Sequence, residues 1–235
     1  MEQVKRSAFA EAGKRARTVI DVSPVSRDNP FRRERMQRLK GLVEVVIAEK
    51  GACKIIDIGG TVGFWETWEH LLDFSKVTID CVNVAPADAT GHLPIRMLVG
   101  DARDLTFAAD NAYDVAFSNS VIEHVGLWQD MERMAAEVRR VAPRYLVQTP
   151  YFWFPVEPHA RSPLIHWLPE SWKYRIVMHR KCGFWERQDS VAGAVRTVQS
   201  AIMLDIRQMR ALFPDADLHK ERFCGLIKSL VAVKG

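Results

Sequence analysis

Three stretches of this chain hold side chains whose types and spacing suit chemistry. The first is Lys54-Ile55-Ile56-Asp57-Ile58-Gly59-Gly60-Thr61-Val62-Gly63, followed by the helical Phe64-Trp65-Glu66-Thr67-Trp68. An apolar run that ends in an acid and a glycine-rich turn before a helix is a cradle for a nucleotide-like cofactor. Glycine lets backbone approach a ligand and take positive φ, and a helix start offers free N–H groups. The spacing Gly59, Gly60, Gly63 fits poorly to the G-x-G-x-x-G of a nicotinamide site. Asp57 stands instead where a carboxylate could meet a cationic amine. A tight strand-to-helix turn would also account for these residues.

The second stretch is a set of polar residues at the ends of apolar runs. Asn83 lies about 20 residues past the glycines, where an acid is expected to accept from two ribose hydroxyls; its amide has one acceptor oxygen and a donor. Asp101, with Ala102 after it, can accept from an exocyclic amine such as that of adenine, or can form an ordinary Asx turn. Ser118, Asn119 and Ser120 close another apolar run, at the sheet edge where open α/β sheets bind ligands.

The third stretch is Gln148-Thr149-Pro150-Tyr151-Phe152-Trp153-Phe154-Pro155-Val156-Glu157-Pro158-His159, a stiff aromatic loop suited to roofing a site. Glu157 and His159 are two residues apart and point the same way in an extended segment. Together they can orient a hydroxyl and remove its proton, or serve a loop as structural partners. His124 is a second candidate base, or a packing residue. Leu164-Ile165-His166-Trp167-Leu168-Pro169 and Trp172 are apolar enough to form a lid or to touch a membrane surface. The histidines are scattered in sequence and no acidic cluster accompanies them, so no metal site is expected.

These residues need a framework, and the pattern supplies one. Met36, Leu39, Val43, Val46 and Ile47 mark the buried face of a helix over 31–49, with Asp28 or Asn29 as its cap and Pro30 in its first turn. Strands are expected at 53–58, 77–84, 95–99, 113–118 and 144–149. Helices are expected at 63–73, near 120–125 running on after a break at Gly126 to 128–141, and at 203–213. Strands separated by helices imply a parallel sheet covered on both faces. The runs 216–223 and 226–233, joined by Cys224-Gly225, imply a closing antiparallel hairpin.

Bulk properties agree with one globular α/β domain. The chain has 235 residues, 48% hydrophobic and 26% charged, within the roughly 250 a single core supports. No apolar run approaches the ~18 residues of a membrane-spanning helix. The N-terminus has no apolar core of a secretory signal. Cys53, Cys81, Cys182 and Cys224 show no CxxC pair, which suits free thiols and a cytoplasmic location. Residues 1–40 hold 11 Lys/Arg against 5 Asp/Glu. Residues 1–28 therefore read as a basic, loosely structured arm, and 29–235 as the domain, with an acceptor lid at about 150–202. Such an arm can bind nucleic acid or anionic lipid, or simply be solvated.

In order and spacing, the pieces at Asp57–Gly63, Asn83, Asp101–Ala102 and Tyr113–Val125 resemble the class I S-adenosylmethionine-dependent methyltransferases, in particular the methyltransferase-11 group. The likeness covers about 40–150 and resumes at the hairpin from Glu221. It implies a Rossmann-like, seven-stranded, mostly parallel sheet with helices on both faces and its last strand antiparallel. It also implies S-adenosylmethionine as cofactor. Asp57, Gly59, Gly60 and Gly63 would then hold the methionine moiety, Asn83 the ribose, Asp101 and Ala102 the adenine, and Asn119 would line the methionine side. Two positions depart from the pattern: Thr61 replaces the middle glycine of G-x-G-x-G, and Asn83 the ribose acid. The aromatic loop resembles the Thr-Pro…Trp-Phe-Pro…Glu-Pro-His segment of methyltransferases of sugar and polysaccharide biosynthesis. The expected reaction is O-methylation of a small-molecule, saccharide or lipid-linked acceptor, with His159 or His124 as base and Glu157 beside it. A nucleic-acid methyltransferase, a non-catalytic binding protein of the same fold and a nicotinamide dehydrogenase are the rivals. No Asn/Asp-Pro-Pro-Tyr motif follows the fourth strand to favour the first of these.

Overall fold

The computed structural model describes residues 29–87 and 90–235; the basic arm lies outside them. Asn29 caps the first helix, α1 (Pro30–Lys50), through its side-chain oxygen, which accepts from the amides of Phe31 and Arg32. Gly51, at φ 81°, ends that helix in the left-handed region.

There follow β1 (Cys53–Ile58), α2 (Val62–Trp68), β2 (Val77–Asn83), β3 (Ile95–Val99), β4 (Val115–Asn119), α3 (Trp128–Val141) and β5 (Arg144–Pro150). A small ribbon, β6 (Val156–Glu157) with β7 (Ser162–Pro163), comes next, then α4 (Glu170–His179), α5 (Val191–Gln199) and α6 (Ile206–Leu212). The hairpin β8 (Asp217–Phe223) and β9 (Leu226–Lys234) closes the chain.

The main sheet has seven strands in the order β3-β2-β1-β4-β5-β9-β8. β1 to β5 run parallel, and β9 inserts antiparallel between β5 and β8. The expected fold class is borne out. Alternate residues of each central strand face opposite layers, which is why these strands read as continuous apolar runs. Ile55, Val115 and Phe117 pack under α1 and α2 with Met36, Leu39 and Trp65. Ile56, Ile58 and Tyr145 pack under α3 and α6 with Met134, Met209 and Phe213. Both layers leave the carboxyl ends of β1, β2 and β4 at one edge, where the order reverses between β1 and β4.

The expected elements lie within a few residues of those observed, with two differences. The helix expected at 120–125 is a single 3-10 turn, Ile122–His124, while the break expected at Gly126 is present, at φ 127°. The segment expected as an acceptor lid, for which no helix is expected, has a small apolar core: α4, α5 and the turn before them enclose Ile165, Val177, Trp185, Ala194 and Val198.

Candidate functional site

The glycine turn is shaped by what lies beneath it. Asp57 is 2% exposed and accepts a hydrogen bond from Trp65 Nε1 at 2.8 Å. Burial pushes its carboxyl up to about 7, against the smaller downward pull of that hydrogen bond. A Cβ on Gly60 would stand 1.9 Å from Asp57 Oδ2, and one on Gly59, at φ 82°, 2.4 Å from Val121 Cγ2. Both positions therefore need glycine.

The two departures from the family pattern have local reasons. Thr61 is the N-cap of α2: its hydroxyl accepts from the Phe64 amide at 3.3 Å. Asn83 donates its amide to the Gly60 carbonyl at 2.8 Å, which ties the end of β2 to the turn. A carboxylate at Asn83 would have no hydrogen to give. Its amide oxygen remains available as an acceptor.

Gly59, Asn83, Asp101 and Ala102 line one concavity of about 220 Å3, together with Val121 and His124. Arg103 grips Asp101 through Nε at 2.9 Å and its terminal nitrogen at 2.6 Å, and those bonds hold the carboxylate in its charged form, below its ordinary pKa. The other expected cofactor residues stand off the wall. Asp57 lies under the turn, Gly60 is in the turn with its Cα against Asp57, Gly63 is in α2, and Asn119 accepts from Arg35.

Arg35 is a site residue that the sequence pattern did not reveal. It is 6% exposed, on α1. It also donates to Gln148 Oε1 at 2.7 Å and pairs with Glu221 Oε1 through Nε at 2.8 Å. One guanidinium thus joins α1, β4, β5 and β8. Nothing in the spacing of 31–49 marks it, since its partners are 84 to 186 residues away.

Arg35 and Gln148 belong to the wall of a second, larger cavity of about 430 Å3. Its sides are aromatic, from Tyr151, Phe154, Phe184 and Phe223, and Arg32, Arg161 and Lys228 bring positive charge. Arg161 lies 4.3 Å over the Phe184 ring. Burial holds Lys228 below its ordinary pKa, helped by the charge of Arg35.

Glu157 and His159 stand at one side of this cavity. The ribbon β6–β7 makes them meet: Glu157 Oε1 lies 2.7 Å from His159 Nδ1, while its other oxygen accepts from the Ala160 amide. Burial lowers the affinity of His159 for a proton, but the hydrogen bond and charge of Glu157 outweigh it and leave the pKa raised. His159 Nε2 in turn lies 3.2 Å from His124 Nε2. His124 lines the smaller cavity and His159 the larger, so the imidazole pair is where the two meet.

Residues 59–144 match the family model described as a methyltransferase domain. The chain carries a methyltransferase domain. The matched span runs from the glycine turn to the first residue of β5 and contains the whole smaller cavity except Ile58. This is the family expected from the order of the motifs, and the methyl donor it implies is S-adenosylmethionine. The chemistry of the smaller cavity fits that molecule: a Cβ at Gly59 would meet Val121 at 2.4 Å, and the wall carries an acceptor amide at Asn83 and a charged carboxylate at Asp101 for a ligand's hydroxyl and amine donors.

Among solved structures the chain is similar to a SAM-dependent methyltransferase from Methanosarcina mazei (13% identity, 78% of this chain and 92% of that one, TM-score 0.48). It is also similar to the 1,6-didemethyltoxoflavin-N1-methyltransferase of Burkholderia thailandensis, solved with bound 1,6-didemethyltoxoflavin and S-adenosylhomocysteine (12% identity, 99% and 88%, TM-score 0.49). A third is the magnesium protoporphyrin IX methyltransferase of Synechocystis with bound SAH (12% identity, 85% and 83%, TM-score 0.45). No curated protein matches it in sequence. No helix among the described residues is long and apolar enough to cross a membrane.

Proposed function

We propose that this methyltransferase binds S-adenosylmethionine in the smaller cavity and methylates a hydroxyl of a small acceptor held in the larger one. The observation that carries this reading is the His124–His159 pair, which stands where the two cavities meet. When bound, the cofactor supplies an electrophilic methyl group, and the chain's own work is alignment and removal of a proton. Gly59, Asn83, Asp101 and Ala102 hold the donor, and Asp57, buried beneath Gly60, shapes the turn from below. His159 takes the acceptor's proton at Nε2, and Glu157 fixes the ring through Nδ1 and stabilises its charged form.

The acceptor's character follows from its cavity. Aromatic walls suit the faces of a sugar ring or another flat, partly apolar body. Arg161 and Lys228 favour a phosphate or carboxylate on it, because an anion there relieves a half-buried cation. A sugar phosphate or lipid-linked sugar combines both features. Titration calorimetry with S-adenosylmethionine and S-adenosylhomocysteine, then a methyl-transfer assay over phosphorylated and neutral sugars, tests the reading. Micromolar donor binding and turnover of a phosphorylated sugar are expected. Donor binding absent at millimolar concentration would overturn it.

A further inference from the structure

His124 Nδ1 lies 2.7 Å from the backbone oxygen of Ser200, and His159 Nδ1 lies 2.7 Å from Glu157 Oε1. Both partners only accept hydrogen bonds, so each Nδ1 carries a hydrogen and each neutral ring presents a bare lone pair at Nε2. Those lone pairs face one another across 3.2 Å, with the rings 82° apart. Two acceptors at that distance repel unless something positive lies between them. A third donor atom is close by. Glu123 is 1% exposed; its Oε2 accepts from Thr149 Oγ1 at 3.0 Å, and its Oε1 is buried without a hydrogen-bond partner. One ligand atom from each of Glu123, His124 and His159 lies within 4.8 Å of the other two.

We propose that Glu123, His124 and His159 hold a divalent cation of the zinc class between the two cavities. A proton shared by the rings would satisfy the histidines and leave the Glu123 oxygen unpaired; a divalent cation would satisfy all three once a side-chain shift draws their atoms, now within 4.8 Å of one another, to ligand spacing. Two nitrogens 3.2 Å apart form an edge of a tetrahedral site with bonds of about 2.0–2.1 Å. Two imidazoles and one carboxylate are a zinc donor set, with the fourth position left for an exchangeable ligand. The groups behind the ligands are in place: each ring donates Nδ1–H, one to a carboxylate and one to a carbonyl, which sets the tautomer that metal ligation needs.

What the cation does there rests on the methyl-transfer reading; that it binds does not. An acceptor hydroxyl at the open position gives an oxygen lone pair to the ion and releases its proton to solvent. The oxygen then forms the new C–O bond as the C–S bond breaks, and sulfur keeps that electron pair. In the loaded protein the ion takes over the task of the His159 lone pair.

The test uses the full chain stripped with a chelator and titrated calorimetrically with zinc chloride and, separately, manganese chloride, with S-adenosylmethionine titrated into the same stripped protein. One equivalent of zinc at micromolar or tighter affinity is expected. Glu123→Gln, His124→Ala and His159→Ala should each abolish it, while Glu157→Gln should retain it, weakened by roughly 10- to 100-fold. Melting curves of each variant show that it is folded. Zinc bound equally by the wild type and the histidine variants would mean an adventitious ion only and would overturn the proposal. So would no binding at all. If the stripped protein still binds the methyl donor and turns over in chelator, the methyl-transfer reading stands without the cation.

Discussion

The side-chain amide of Asn83 donates to the carbonyl of Gly60 across 2.8 Å, and so pins the carboxyl end of β2 to the turn that follows β1. The usual acid of this position would offer ribose a second acceptor oxygen, but it would set a negative charge against that carbonyl. In this chain the turn depends on the donor. Asn83→Asp should therefore weaken S-adenosylmethionine binding, although it restores the family's common residue. It should also cost about 1 kcal/mol of stability, the scale of one lost hydrogen bond. Calorimetry and chemical denaturation read the two effects; tighter donor binding by the variant would show that the amide's grip on Gly60 is dispensable.

Gly60→Ala sets a methyl group on the Asp57 carboxylate, at 1.9 Å from Oδ2. Neither partner can retreat, because Asp57 is fully enclosed and bonded to Trp65. Donor affinity should fall at least tenfold, with a lower melting temperature. Gly63→Ala, where a Cβ meets nothing within 4 Å, is the matched control and should leave both nearly unchanged.

Asp57 also gives the fold a pH dependence. Its folded pKa, pushed up to about 7 by burial, exceeds its unfolded value. The folded state thus holds a proton that the unfolded state releases, and stability falls as pH rises from about 4 to about 7, by of order 1 kcal/mol per unit. Asp57→Asn should flatten this window in urea denaturation series of the protein without ligand. An unchanged slope would assign the dependence to other groups.

His159→Ala and His124→Ala should leave donor binding intact and lower turnover by roughly 10²-fold or more. Normal turnover in both would remove the imidazole pair from the chemistry. On the acceptor side, Lys228→Met and Arg161→Met should raise KM for phosphorylated acceptors with little change in kcat, and should leave neutral acceptors unaffected.

Arg35 should be among the most costly single replacements. Arg35→Met leaves Glu221, 7% exposed, as an uncompensated buried charge, a loss of about 3–5 kcal/mol. The double variant Arg35→Met with Glu221→Leu should recover much of that loss. If the double variant is no more stable than Arg35→Met alone, the hydrogen bonds to Asn119 and Gln148, and not the ion pair, carry the effect.

The sequence by itself determined the framework and one half of the site. Continuous apolar runs and helical spacing, read with the glycine turn and the strand-end polar residues, are local properties, and local sterics and burial make β1–β5, α1–α3 and the closing hairpin almost as expected. That Gly59, Asn83, Asp101 and Ala102 would line one cavity was legible for the same reason: each sits at or just past the end of a strand, and parallel order brings strand ends to one edge.

Tertiary structure alone decided the rest. It set Arg35 against partners from β4, β5 and β8, and it set His124 against His159, which a ribbon brings back from 35 residues away. It also buried Glu123 beside them, turning histidines that look scattered in the chain into one cluster. Spacing carries no trace of such meetings, because side-chain contacts between distant segments are chosen by the packing of whole layers and not by the periodicity of any one of them.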